Sequence, residues 1–202
     1  MTAADVCARV REKFADLILA DTEFRGEFSL TVSPGALPDI AGFLHDELGF
    51  DYLIDISSVD HFSEEPRYEM VYELYGMEHG VHLRLKCGLT EDEPEIASVV
   101  GVWPGANWHE REIWDMMGIR FRNHPDLRRI LMWEGYPYHP LRKDFPLEGK
   151  SSDVEEVAFT RLAPLEGGPF VTAPTDGTTQ VREPRARLAG ETPPENKFIA
   201  EP

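Results

Sequence analysis

Arg67 to Cys87 reads RYEMVYELYGMEHGVHLRLKC, and this stretch decides the fold class. Residues 67–75 and 81–87 each alternate apolar and polar side chains, the two-residue period of a strand with one buried face. Met77-Glu78-His79-Gly80 supplies the turn between them. One antiparallel register sets Leu74 opposite Leu83, Tyr72 opposite Leu85 and Met70 opposite Cys87 on the buried face. The same register sets Glu73 opposite Arg84 on the other face, a favourable cross-strand pair. A slip of one residue would turn the apolar set outward, so the pattern fixes the pairing.

Working outward, Val6, Val10, Phe14, Leu17 and Ile18 recur at helical spacing and predict a helix over residues 3–20. Phe28, Leu30 and Val32 alternate along a strand at 27–33. Leu37, Ile40, Ala41, Leu44 and Leu48 predict a second helix, closed by Gly49. Tyr52, Ile54 and Ile56 alternate along a further strand, and residues 94–102 fit a short helix or a strand equally well. The expected class is α+β: helices packed on a mostly antiparallel sheet, followed by an extended C-terminal arm. The expected divisions are an α+β core at 1–105, a charged and aromatic helix and strap at 106–150, and a Pro-rich acidic tail at 151–202. That tail holds seven of the chain's 16 prolines and three aromatic residues, a poor basis for a core.

The formal charge of −17 on 202 residues is uneven: −14 over residues 1–105, +1 over 106–150 and −4 over 151–202. An acidic body without a basic face excludes nucleic acid or anionic lipid as the main partner. Cys7 and Cys87 are the only cysteines, which matches a reducing compartment and provides no disulfide framework. Two thiols also fall short of the roughly four that an iron–sulfur cluster needs. Residues 1–20 carry Asp5, Glu12 and Asp16 and lack the apolar run of a secretion signal. No segment approaches the roughly 20 apolar residues of a membrane span.

Trp108 to Gly149 holds seven acidic and seven basic residues, with His109, His124 and His139, and three of the four tryptophans. Carboxylates, arginines and large aromatics in one segment have the composition of a protein–protein contact. Asn107 and Glu110 have the spacing of a capping box, and Gly118 stands where a helix ends, so residues 108–117 are predicted helical. On that helix Ile113, Met117 and Trp114 fall at about 140°, 180° and 240° from Trp108, with Glu110 among them at about 200°. A carboxylate inside an apolar arc must find a partner or take up a proton, and Arg120, Arg122, Arg128 and Arg129 are the nearby cations. His109-Glu110-Arg111-Glu112 is not a zinc-protease helix, because Ile113 occupies the place of the second histidine. Glu110 and Glu112 lie about 200° apart, so they cannot act as an acid–base pair on one substrate. No glycine-rich phosphate loop is present, so no FMN or NAD site and no metal site is assigned. His139-Pro140-Leu141-Arg142-Lys143-Asp144-Phe145-Pro146 is a stiff extended strap, because its two prolines fix φ and stop a helix.

Glu110-Arg111-Glu112, Trp114-Asp115-Met116-Met117-Gly118-Ile119, His124-Pro125-Asp126-Leu127-Arg128-Arg129-Ile130-Leu131 and the strap together resemble the C subunit of respiratory complex I, the proton-translocating NADH:quinone oxidoreductase. Residues 1–100 resemble that family more loosely, in pattern and length. The resemblance implies a non-redox member of the peripheral arm, on the cytoplasmic side of the cell inner membrane. FMN and the iron–sulfur clusters would then sit in partner subunits, and contacts with the quinone-site and cluster-bearing subunits are expected. Glu110, Arg111, Glu112, Asp115, His124, Asp126, Arg128, Arg129, His139, Arg142, Lys143, Asp144 and Phe145 are the signature positions expected where subunits meet, with no catalytic residue among them. Two other classes fit less: a homologous subunit of a membrane-bound hydrogenase or ferredoxin-linked complex, and a free-standing acid–base enzyme using His109, Glu110 or Asp115.

Overall fold

The computed structural model describes residues 1–133, 135–147 and 149–150; the arm expected at 151–202 lies outside the described residues. Met1–Phe145 forms one compact unit. Its elements run α1 (Ala3–Phe14), β1 (Ile18–Phe24), β2 (Glu27–Val32), α2 (Leu37–Asp46), β3 (Tyr52–Asp60), β4 (Tyr68–Gly76), β5 (Val81–Leu89), β6 (Glu95–Ala97), α3 (Ala106–Met117) and β7 (Arg120–Arg122). Five strands form one sheet in the order β1-β2-β5-β4-β3, and β6 and β7 make a separate parallel pair. The α+β class with a mostly antiparallel sheet is the architecture found.

The hairpin has the predicted register, with Leu74 opposite Leu83, Tyr72 opposite Leu85, Met70 opposite Cys87 and Glu73 opposite Arg84. Its inward face is dry: Met70, Tyr72, Leu74, Leu83, Leu85 and Cys87 are wholly enclosed with Val6, Val10, Ile40 and Leu44 of the two helices. The opposite face is laced by Arg84 on Glu73 and by Lys86 on Glu69 at 2.8 Å. α2 carries the chain from β2 to the far edge, and β3-β4-β5 then meander back. β5 therefore arrives beside β2 in parallel, the one parallel pair of the large sheet.

Two expectations need correction, and one open choice is settled. The first helix stops at Phe14 rather than residue 20, and Ile18–Phe24 is an edge strand. All of β1 beyond Ile18 is exposed, so it lacks the one-sided alternation that marks a half-buried strand. Its hairpin with β2 turns at Arg25 and Gly26, both at positive φ, as a two-residue turn requires. The strand at 52–56 extends to Asp60, and an irregularity between Leu53 and Asp55 leaves Tyr52 and Ile54 exposed while Ile56 is buried. Residues 94–102, ambiguous in sequence, contain the short strand β6.

Candidate functional site

α3 begins at Ala106 with Gly105 as N-cap and no side-chain cap, so Asn107 and Glu110 do not form the expected capping box. Nor is α3 buried along a single arc. Glu110, Ile113 and Met117 are buried as their positions suggest, but Arg111, Asp115 and Met116 on the other side are buried too. The irregular chain from His124 to Phe145 passes over that second side and covers it. Trp108 and Glu112 remain outside.

The polar groups of α3 are spent on holding this chain. Asp115 accepts the backbone N–H groups of Ile130, Leu131 and Met132 at 2.9, 2.7 and 2.9 Å, and the Arg129 guanidinium at 2.5 Å. Burial pushes the Asp115 carboxyl up, but those four donors outweigh it and hold it below the usual carboxylate range. Arg111 donates to the carbonyls of Arg128 and Arg129 and lies over the Trp108 ring. Four carbonyls at the end of a helix have no partner within it. Here the Trp114 carbonyl takes the N–H of Gly118, and the Asp115 carbonyl takes Arg129 and His139 Nδ1. The Met116 carbonyl takes the N–H of Leu141, and the Met117 carbonyl takes Arg142 Nε at 2.6 Å. The strap is thus the C-cap of α3, and its Arg142, with Arg129 beside it, sits at the negative end of the helix dipole. Gly118, in left-handed geometry at φ +74°, permits this: a Cβ there would run into Arg142 and come within 2.6 Å of the His139 ring. Burial lowers the His139 pKa, so the ring favours the neutral form that donates through Nδ1.

A second anchor ties the strap to the sheet. Arg67, at the start of the hairpin, forks onto Asp60 at 2.9 and 3.0 Å and reaches Glu91 and Asp144. Arg67 chiefly holds the Asp60 carboxyl below its usual range, and Asp60 also accepts the N–H of Lys143.

Glu110 finds none of the four arginines considered for it. Its Oε1 accepts the N–H of Val99 at 2.7 Å, and Oε2 lies 3.9 Å from His124 Nε2 without a hydrogen bond. His124 accepts the Asp126 N–H through Nδ1 and faces the Asn107 carbonyl with Nε2. Burial outweighs the opposing Ser98 and Val99 contacts and pushes Glu110 up to about 7. An ordinary glutamic acid titrates near 4.3. The folded protein therefore holds this proton more tightly than the unfolded chain. Stability from this group is complete below about pH 4 and is lost as pH rises towards 7, by about 3 kcal/mol. Burial depresses His124 and His139, which act in the opposite sense near pH 6. Glu110→Gln isolates the carboxyl. Denaturant titrations should show the variant gaining on the parent from near zero at pH 4.5 to about 3 kcal/mol at pH 8. An advantage equal at both pH values would contradict the assignment.

The signature positions thus divide. Glu110, Arg111, Asp115, Arg129, His139 and Arg142 are engaged within the chain, and Phe145 is half-buried near the Tyr138 ring. Glu112, Asp126, Arg128, Lys143 and Asp144 are exposed, with Arg128 on Asp126 at 2.9 Å and Asp144 on Arg67. Trp108, Leu131 and Leu141, each about 60% exposed, stand among them. Sequence reasoning missed Arg67 and Asp60, whose only signal was an arginine entering an otherwise acidic half of the chain. Among the described residues no group of three or more His, Cys, Asp or Glu is arranged to hold a metal ion, and no helix is long and apolar enough to cross a membrane.

The family described as respiratory-chain NADH dehydrogenase, 30 Kd subunit, matches residues 30–151. The C subunit of NADH-quinone oxidoreductase from Roseiflexus sp. (strain RS-1) is 47% identical over 159 residues, 78% of this chain and 88% of that protein. The C 2 subunit of the same enzyme from Rhizobium etli (strain CIAT 652) is 49% identical over 144 residues, covering 70% of this chain and 76% of its own. Among solved structures, the trypsin-resistant fragment of Nqo5 aligns with a TM-score of 0.54 at 26% identity, over 61% of this chain and 98% of the fragment. A chain of the archaeal membrane-bound sulfane sulfur reductase shares the fold, with a TM-score of 0.62 at 21% identity over 71% of this chain and 85% of that one. The chain belongs to the 30 kDa subunit family of the respiratory-chain NADH dehydrogenase and is a peripheral-arm component of NADH-quinone oxidoreductase, complex I.

Proposed function

We propose that this chain braces the peripheral arm of complex I: it holds the quinone-site and cluster-bearing subunits in place and itself carries no FMN, iron–sulfur cluster or metal. Electrons pass from NADH to quinone through its neighbours, and it meets the cytoplasmic face of the inner membrane through them. One observation carries this reading. The buried Arg111 and Asp115 of α3 are consumed in fixing residues 128–132, while Trp108, Leu131 and Leu141 of the same region stay exposed, as do Glu112 and Arg128. Exposed large apolar groups interspersed with charge have the composition of a protein contact. The relatives named for NADH-quinone oxidoreductase favour this complex over a hydrogenase or ferredoxin-linked one. An acid–base enzyme is disfavoured by the enclosure of Glu110 and Asp115.

Arg128 and Arg129 separate the two jobs of the segment. Arg129 is committed to Asp115, whereas Arg128 is two-thirds exposed and available at the surface. Arg128→Glu combined with Leu131→Glu should leave the lone chain within about 0.5 kcal/mol of the parent, as exposed positions do. In membranes the same variant should assemble poorly, because an unpaired charge in a desolvated contact costs about 2–5 kcal/mol. Native gels showing parental amounts of complex would overturn the placing of the contact here.

A further inference from the structure

Among the described residues β3 is the outer strand of the sheet and is paired on one side only, with β4. Sheet edges are normally blunted by charge, proline or a bulge. β1, at the opposite edge, carries Asp21 and Glu23 and an irregular register. In β3 the irregularity comes early, between Leu53 and Asp55, and the pairing from Asp55 to Asp60 is regular. Ser57 and Ser58, with short side chains, stand at the middle of that stretch. A groove of about 480 Å³ runs along all six of these residues. Its other wall is Ile113 and Met116 of α3 and Leu141 of the strap, with Glu112 and Lys143 also lining it.

We infer that this groove receives an extended segment of a neighbouring complex I subunit, added to β3 as a sixth strand of the sheet. Six residues of β3 offer about 20 Å of edge, and alternate N–H and C=O groups along it have no partner among the described residues. Main-chain bonds to that edge would give affinity, while apolar side chains at every second position would rest on Met116 and Leu141. Charge selects the occupant. Asp55, 3.1 Å from His109 Nδ1 of α3, and Glu112, whose carboxylate has no ion pair among the described residues, make one end acidic. At the other end Arg67 is shared by Asp60, Glu91 and Asp144, so that with Lys143 the end holds more carboxylates than cations and is acidic too. The fitting segment carries cationic side chains towards both ends and apolar residues between.

The inference rests on membership of the complex, and the test separates the two. Hydrogen exchange is followed in the full-length chain alone and in complex purified through a tag on a different subunit. The amides of residues 55–60 not bonded to β4 should exchange at least about tenfold more slowly in the complex. A photoactivatable cross-linker on Ser57→Cys should join an extended segment of one partner subunit. Equal exchange in the two samples would sink the inference, as would an adduct with a partner's helix, a second copy of this chain or residues 151–202 of the same chain. Absence of the chain from the purified complex would sink the functional reading, and the inference with it.

Discussion

Asp115→Ala should release residues 129–132 from α3 and cost the compact unit about 3–5 kcal/mol, the usual effect of breaking a buried ion pair by removing one partner. The carboxylate is wholly enclosed and serves four donors. Its loss leaves Arg129, itself only 10% exposed, and three backbone N–H groups without their acceptor. Urea denaturation of the lone chain measures the loss, and proteolysis should begin between residues 129 and 142. Asp115→Asn, which keeps an acceptor oxygen but not the charge, should fall between parent and alanine variant. A loss below about 1 kcal/mol for the alanine variant would mean that residues 129–132 are held by their other contacts and not by this carboxylate.

Arg67→Met should cost a similar 3–5 kcal/mol, because it leaves Asp60 ionised and enclosed. Both side chains of that pair are under 5% exposed. The pH dependence identifies the cause. In the parent, Arg67 holds Asp60 below the ordinary carboxylate range, so this stability is present above about pH 4 and is lost as pH falls further. In the variant, burial acts on Asp60 without its cation, the folded pKa rises above the unfolded value, and stability recovers as pH falls towards 5. The double variant Arg67→Met with Asp60→Asn should regain much of the loss at neutral pH. A variant whose loss is the same at pH 5 and pH 8 would point to lost packing rather than an orphaned charge.

What could be read in advance follows from where each interaction partner lies. The hairpin was legible to the residue because its strands are adjacent in the chain and one face is dry, as the pairing of Leu74 with Leu83 shows. β1 was not, because exposure on both sides erases the period that marks a half-buried strand. Glu110 was recognisable as a carboxylate in an apolar setting, but its partner is the backbone of Val99, which no side-chain pattern reveals. Arg128 and Arg129 are neighbours of one residue type with opposite fates. The irregular path of the chain over α3, not any periodicity, turns one inward to Asp115 and leaves the other outside. The same path explains why the second face of α3, which lies outside the apolar arc, is buried.

If this chain works as a structural member of complex I and contributes no redox centre of its own, two purifications should differ sharply. Both use an affinity tag on this chain, one from detergent-solubilised membranes and one from cells making the chain alone. The membrane preparation should contain stoichiometric FMN and iron and reduce quinone with NADH, while the lone chain should be colourless and free of both. A lone chain that binds flavin or iron in stoichiometric amount, or a membrane preparation in which the tagged chain elutes without its partners, would contradict the account.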